Sequence, residues 1–68
     1  MYIHEAVSLA MAKGKHIRRT TPEIWDSVTA EPTNDPEGII LHAEGQRPGP
    51  RWEPRAEDLM ADDWVLVD

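Results

Sequence analysis

Apolar residues near the beginning of the chain recur at the spacing of one face of an α-helix. These positions are Ile3, Ala6, Val7, Ala10 and Met11, which follow the i, i+3, i+4, i+7, i+8 pattern. Gly14 comes soon after the last of them, where a residue in the left-handed conformation commonly ends a helix. The pattern predicts an amphipathic helix over residues 4–13.

Three later segments have the composition of β-strands. Residues 16–20 leave the predicted helix through the glycine turn, and Trp64–Val67 is an apolar run with two valines. Residues 39–41, Ile-Ile-Leu, are the most apolar run of the chain, and turn-forming residues flank them. We expect all three segments to be strands, with residues 39–41 at the centre of the sheet.

Residues 23–28 are compatible with two structures. Their side chains alternate, with Ile24 and Trp25 on opposite sides, which favours a strand. Thr21 and Pro22 would instead suit the first positions of a helix. We favour the strand.

Prolines and glycines divide the rest of the chain. Residues 30–38 contain two prolines and a glycine, which predict a loop. Residues 44–45 suit a hairpin turn, and the two prolines of residues 48–50 indicate an irregular segment or a sheet edge. Pro54 precedes a short predicted helix over residues 55–60, which has acidic residues in its first turn.

These elements predict an α+β fold, a small and mostly antiparallel sheet with an N-terminal helix and a short second helix. A chain of 68 residues makes one domain at most, here residues 1–68. Such a short chain buries only about 60% of its unfolded surface, a smaller share than a larger domain buries. It has no cysteine to form a disulfide or a thiolate metal site. We therefore expect a homo-oligomer, a dimer or a tetramer, whose interface adds burial.

Charge is unevenly distributed along the chain. The formal net charge is −6, from 13 acidic and 7 basic residues, so we expect no binding to nucleic acid. The basic residues fall in two windows, Lys13, Lys15, Arg18 and Arg19, then Arg47, Arg51 and Arg55. The two windows form a positive site if they meet in space; otherwise they are solvated charges that keep the protein soluble.

The sequence shows neither a membrane span nor an export signal. No stretch approaches the roughly 20 apolar residues that cross a bilayer. The first residues lack the basic and apolar regions of a signal peptide. We expect a cytoplasmic protein with no membrane partner.

The two ends of the chain carry the clearest motifs. The opening motif consists of Glu5-Ala6-Val7, Gly14-Lys15, Ile17 and Arg19. The closing motif consists of Trp52-Glu53-Pro54, Asp58-Leu59-Met60-Ala61 and Asp63-Trp64. In order and spacing, they resemble the second type of Thoeris anti-defence protein of phages. The chain departs from that pattern at Pro22, where a tryptophan is common, and at Arg55, where serine is common.

The resemblance implies a phage or prophage sponge, a non-catalytic homo-oligomer in the cytoplasm of the infected bacterium. Such a protein captures a cyclic nucleotide immune signal, for example glycocyclic ADP-ribose or a cyclic oligonucleotide. It implies no cofactor, and its partners would be the nucleotide and further copies of the chain. Arg19 matches the strand arginine of the family, and on that ground we expect it to contact the ligand.

Trp52 is the strongest candidate for ligand contact outside the strands. It lies near Arg51 and Arg55, and this set suits stacking on a base while the guanidinium groups hold phosphate. Alternatively, Trp52 packs over the sheet edge and the arginines are solvated; Trp25 has the same two interpretations. The expected ligand-binding residues are Arg19, Trp25, Arg51, Trp52 and Arg55. Exchange of Trp52 for alanine is expected to leave folding nearly intact.

Other patterns favour structural roles. Trp64 within a strand predicts a core position, and Asp58 and Asp63 are expected to accept hydrogen bonds from the backbone. The three histidines do not have the spacing of metal ligands. No glycine-rich phosphate loop and no nucleophile–base pattern is recognisable. The sequence therefore predicts no metal site, no catalytic residue and no enzyme.

Two other functions remain compatible with the sequence. The acidic stretch over residues 23–44 would suit an inhibitor that mimics nucleic acid and binds a host nucleic-acid-binding or defence protein. A small structural or accessory phage protein without a ligand is the third possibility. Convergence of basic and aromatic residues in one pocket would favour the sponge.

Overall fold

A computed structural model describes residues 1–43, 49 and 51–67. The elements follow in the order α1 (Ile3–Lys13), β1 (His16–Arg19), a 3₁₀ helix (Glu23–Asp26), β2 (Val28–Pro32), β3 (Ile39–Ala43), α2 (Ala56–Met60) and β4 (Trp64–Val67). The strands form an antiparallel sheet in the order β3-β2-β1-β4. The expected α+β class is confirmed, while the turn predicted at residues 44–45 lies outside the described residues. Within the described part of the chain, no helix is long and apolar enough to span a bilayer.

Helix α1 matches its predicted bounds to within one residue. At its beginning, the Tyr2 amide donates to Glu5 Oε1 at 3.1 Å. At its end, Gly14 has a φ of 66°, a conformation that a residue without a Cβ adopts readily. Ala6 and Ala10 are buried in the core, and their small side chains let the helix lie close to the sheet.

The sheet has two different faces, because side chains alternate along a strand. Ile17 on β1 pairs with Ala30 on β2, and both are fully buried in the core together with Trp64. Neighbouring residues such as His16 and Glu31 project to the opposite side and are half-buried. We call the side of Ile17 the core face and the side of His16 the outer face.

The interpretation of residues 23–28 as a strand is wrong, and the helical alternative is nearer to the structure. The chain passes through a cis Thr21–Pro22 peptide bond into the 3₁₀ helix, where the Trp25 amide donates to the Pro22 carbonyl oxygen at 3.1 Å. This turn brings Trp25 into the core at 5% exposure and leaves Ile24 66% exposed. Burial of the larger, aromatic side chain outweighs the local alternating pattern.

Part of the loop predicted over residues 30–38 is strand. β2 continues to Pro32, which pairs with Ile39 at the end of the ladder, where a residue without an N–H is tolerated. The connection that remains is tight: the Thr33 amide donates to the Gly38 carbonyl oxygen at 3.0 Å. Gly38 has a φ of 71°, which favours glycine at this turn.

β3 lies at one end of the sheet, so the expectation that residues 39–41 form a central strand is wrong. The central positions belong to β1 and β2. The side chains of β3 are half-buried, and Ile39 and Leu41 pack against the margin of the core. The high apolarity of this run therefore reflects contact with the core rather than a central place in the sheet.

The segment that leads to α2 forms hydrogen bonds with the edge of β3 that does not pair with β2. The Gly49 amide donates to the Leu41 carbonyl oxygen at 2.6 Å, and the Trp52 amide donates to that of Ile39 at 2.8 Å. A Cβ on Gly49 would lie 2.9 Å from the Leu41 oxygen, so this approach requires glycine. The sheet-edge position predicted for residues 48–50 is confirmed for Gly49.

Candidate functional site

Three tryptophan side chains meet on the core face. The ring centroid of Trp25 lies 5.2 Å from that of Trp64 and 5.8 Å from that of Trp52. The centroids of Trp52 and Trp64 are 5.5 Å apart. All three pairs meet edge to face, which is favourable for aromatic quadrupoles. Trp64 is fully buried, as predicted, and Trp25 and Trp52 are 5% and 9% exposed, so all three tryptophans belong to the core.

A different element positions each ring of this tryptophan cluster. Trp25 enters from the 3₁₀ helix, Trp52 from the segment that pairs with the edge of β3, and Trp64 from β4. The indole Nε1 of Trp64 donates to the backbone oxygen of Asp58 at 2.9 Å. This bond ties α2 to the cluster and satisfies the buried polar atom of the Trp64 ring.

A pocket of about 430 Å³ opens beside the tryptophan cluster. Its apolar wall includes Pro22, Ile24, Trp25, Val28, Leu41 and Trp52. The same pocket is lined by Arg55 from the beginning of α2. The structure therefore brings together three of the five predicted ligand-binding residues, namely Trp25, Trp52 and Arg55.

The rim of the pocket is charged and mixed in sign. The side chain of Arg55 is 81% exposed, and its Nη1 lies 3.5 Å from Glu57 Oε1. Glu53 and Asp58 line the pocket as well. The pocket of a single chain therefore combines an apolar wall with a rim on which carboxylates outnumber the guanidinium group.

Arg19 lies behind the pocket and is not part of its lining. Its Nε donates to Asp63 Oδ1 at 2.9 Å, and its Nη1 donates to Asp58 Oδ1 at 3.0 Å. The side chain is 12% exposed. Because Asp58 also lines the pocket, Arg19 is connected to the pocket through this carboxylate.

Both aspartates accept backbone hydrogen bonds, as predicted. Asp58 Oδ2 accepts from the Arg55 amide at 3.0 Å, and Asp63 Oδ2 accepts from the Thr21 amide at 3.2 Å. The pairing of both carboxylates with Arg19 is an additional role that spacing along the chain did not indicate. Asp58 thus contacts the side chain of Arg19 and the backbone of Arg55, while the Arg55 guanidinium lies beside Glu57.

The electrostatics of this network favour the charged forms. Burial alone would raise the pKa of the Asp63 carboxyl, but hydrogen bonds from Arg19, Thr21 and Thr20 lower that pKa to about 2. In return, the hydrogen bond to Asp63 raises the pKa of the Arg19 guanidinium above its ordinary value. The network therefore holds a permanent ion pair directly behind the pocket.

Arg51 also lies away from the pocket lining. It is exposed, and its Nη2 donates to the carbonyl oxygen of Pro36 at 3.1 Å. Its backbone faces Ile40 across the edge of β3, one residue before Trp52.

Asp58 and Ile24 are among the pocket-lining residues that the sequence did not predict. Asp58 stands three residues after Arg55 at the beginning of a helix, where a carboxylate commonly accepts a backbone N–H, so its place could have been inferred. Ile24 is exposed because residues 23–26 form a 3₁₀ helix. The alternating sequence pattern had favoured a strand there.

The fold and the pocket define a small α+β domain with one antiparallel sheet and a pocket walled in part by tryptophan side chains. The family model of the Thoeris anti-defense 2-like domain, Tad2-like, matches residues 1–67. The chain belongs to this family, as its terminal motifs predicted, and membership supports a role in Thoeris anti-defence. Comparison with curated proteins and with solved structures finds no significant match.

Proposed function

We propose that this chain is a phage or prophage anti-defence sponge, which binds and sequesters a cyclic nucleotide immune signal in the infected bacterium without catalysis. The observation that carries the proposal is the pocket beside the tryptophan cluster. Small-molecule pockets commonly measure about 300–1,000 Å³, and this one measures about 430 Å³. Membership in the Tad2-like family directs the choice of ligand to an immune signal, glycocyclic ADP-ribose or a cyclic oligonucleotide.

The aromatic wall suits the base of such a ligand. Trp25 and Trp52 are held in place by their contacts with each other and with Trp64. Because the rings are already fixed, they lose little side-chain freedom when a ligand binds. Stacking of one base on an aromatic side chain contributes about 1–3 kcal/mol.

Arg55 is the proposed phosphate contact within one chain. Its guanidinium is exposed at the rim and is paired weakly with Glu57, so it can turn to a phosphate group. Arg51 is proposed to reach the ligand from outside the lining, and Arg19 to act through Asp58. The carboxylates at the rim disfavour a polyanion, so we propose that a second copy of the chain supplies further positive charge.

Exposed apolar side chains beside the pocket support this homo-oligomer, proposed as a dimer or a tetramer. Ile24 in the pocket wall is 66% exposed, and Leu59 and Met60 on α2 are 51% and 73% exposed. A second copy that covers these side chains would bury apolar area and close the pocket at the same time. Light scattering at micromolar concentration should give a multiple of 7.7 kDa; a monomer would contradict the oligomer.

Calorimetric titration of the parent chain with glycocyclic ADP-ribose isomers and with cyclic di- and trinucleotides tests the proposed function. We expect saturable binding of at least one of them, with stoichiometry that matches the assembly. No heat from any of these nucleotides, for a protein shown to be folded, would contradict the sponge. It would favour the acidic inhibitor of a host protein, which pull-down from lysate would then test.

Arg55→Ala is the variant that tests the site itself, with Lys13→Ala as the matched control. Both residues are exposed cations, and Lys13 lies at the end of α1, outside the pocket lining. Loss of a charge-assisted hydrogen bond should weaken nucleotide binding by at least about tenfold for Arg55→Ala. Equal affinities of the two variants would contradict the assignment of Arg55.

Trp52→Ala is less suitable than the sequence suggested. The ring is 9% exposed and contacts both other tryptophans. Its removal should therefore destabilise the fold as well as the pocket, in contrast to the expectation from the sequence that folding stays nearly intact. A loss of nucleotide binding in this variant would not separate the two effects.

A further inference from the structure

The outer face of the sheet brings together three side chains that are far apart in the sequence. His16 lies on β1, Glu31 on β2 and His42 on β3. The register pairs Ile17 with Ala30 on the core face, so His16 and Glu31 are neighbours on the outer face. His42 pairs with Thr29 on that same face. One possible ligand atom from each of His16, Glu31 and His42 lies within 4.8 Å of the others.

The three side chains already interact closely. His42 Nε2 lies 2.7 Å from Glu31 Oε1, and the rings of His16 and His42 have their centroids 4.6 Å apart. The side chains of His42 and Glu31 are 25% and 41% exposed. The cluster is therefore partly shielded from water and still open to an ion from solution.

We propose that His16, Glu31 and His42 form a binding site for a divalent transition-metal ion such as Zn²⁺. Two imidazole nitrogens and one carboxylate oxygen are a ligand set that suits zinc and its neighbours in the first transition row. Ligand bonds of about 2.0–2.2 Å place tetrahedral ligand atoms about 3.3–3.5 Å apart. A small rotation of the half-exposed side chains would bring the three ligand atoms, which lie within 4.8 Å of one another, to this spacing. The bound ion would then replace the hydrogen bond between His42 and Glu31.

Thr29 acts on this site as a positioning residue. Its hydroxyl lies 2.9 Å from His16 Nδ1. When Nδ1 donates to that oxygen, Nε2 carries the lone pair that binds a metal, and the ring is held in one orientation. Arg18, a cation on the same face, is bonded to the carbonyl oxygens of Arg19 and Trp25.

The metal site is independent of the proposed nucleotide pocket. The pocket is bounded by Trp25, Leu41 and Trp52, whereas the histidines lie on the opposite face of the sheet. Three protein ligands leave at least one coordination position for water or a small anion. The sequence prediction of no metal site rested on spacing along the chain, which does not reveal neighbours across three strands.

Zinc titration of the chelator-treated full chain tests the site, with metal analysis after dialysis. We expect about one Zn²⁺ per chain. Affinity should fall at least 100-fold in His16→Ala and His42→Ala, and about tenfold or more in Glu31→Gln and Thr29→Val. His4→Ala is the matched control, because His4 is an exposed histidine on α1 and should leave affinity unchanged.

Two further measurements keep the result interpretable. Circular dichroism confirms that each variant is folded, and His42→Gln replaces His42→Ala if the alanine variant is not. Visible absorption of bound Co²⁺ should appear in the parent and disappear in His42→Gln, which retains a polar side chain but lacks imidazole. Absence of stoichiometric zinc, or equal zinc affinity in the parent and both histidine variants, would overturn the proposal. So would loss of zinc binding in His4→Ala.

Discussion

The two faces of the sheet differ in how their side chains are held. On the core face, Ile17, Ala30 and Trp64 are fully buried and share contacts with α1 and the other tryptophans. On the outer face, His16 and Glu31 are half-buried and make polar contacts with neighbours on adjacent strands. The proposed nucleotide pocket is built from the first set of contacts and the proposed metal site from the second.

The two faces therefore differ in how far a single exchange can change binding without also changing stability. The wall of the pocket is also part of the core, so exchange of Trp25 or Trp52 should affect folding and the proposed ligand contact together. The described residues of the outer face lie outside the buried core cluster, so we expect exchange of His16 or His42 to have little effect on folding. Four measurements of stability test this contrast, in order of decreasing effect.

Trp64→Ala should produce the largest loss of stability. The ring is fully buried, contacts two other tryptophans and bonds to Asp58. Removal of a buried aromatic side chain costs about 3–5 kcal/mol, which denaturant unfolding measures directly. Glu37→Ala is the control, because this exposed side chain lies outside the core and the pocket lining and should change the free energy of unfolding by less than about 0.5 kcal/mol. A parent-like unfolding curve for Trp64→Ala would contradict the core assignment.

Arg19→Ala should cost about 2–3 kcal/mol, because it leaves the carboxylates of Asp58 and Asp63 without their cation. Arg55→Ala alters a side chain at the beginning of α2 that is 81% exposed. This exchange should change the free energy of unfolding by less than about 0.5 kcal/mol. Urea unfolding of the two variants compares a buried with an exposed arginine. Similar losses in both would mean that the Arg19 network adds nothing beyond surface charge.

Protonation of Asp63 in acid should remove a smaller contribution to the stability of the fold. The pKa of Asp63 is about 2 in the folded chain against an ordinary value of 3.8. A lowered pKa stabilises the fold above pH 4, and this contribution disappears as the pH falls from about 4 to 2. With allowance for solvent screening it amounts to about 1–2 kcal/mol. Asp63→Asn should be less stable at neutral pH and should lose less stability than the parent over that range; parallel pH profiles would rule out this role.

His42→Ala in metal-free solution should have the smallest effect. It removes a half-exposed contact with Glu31, for which the expected loss is below about 1 kcal/mol. Addition of zinc should raise the melting temperature of the parent and not that of the variant, because the ion binds only the folded site. A large loss of stability without zinc would show that the outer face also supports the fold.

Several elements were predictable because their signals are local. The spacing of apolar residues and Gly14 define α1, Pro54 precedes α2, and the closing run is β4 with Trp64 in the core. Helix ends and strand character depend on neighbours within a few residues, which the sequence displays directly. The terminal motifs identified the family for the same reason, since each motif is a short run with fixed spacing.

By itself, the sequence determined the class of fold, the family and the residue types available for binding. The tertiary structure decided where those residues act: it turned Trp25 inward through a 3₁₀ helix, placed β3 at the end of the sheet and paired Arg19 with two aspartates. It also brought His16 beside His42. Strand order and register are set by burial of side chains that are distant in the chain. No local sequence pattern indicates which distant residue pairs with each charged side chain.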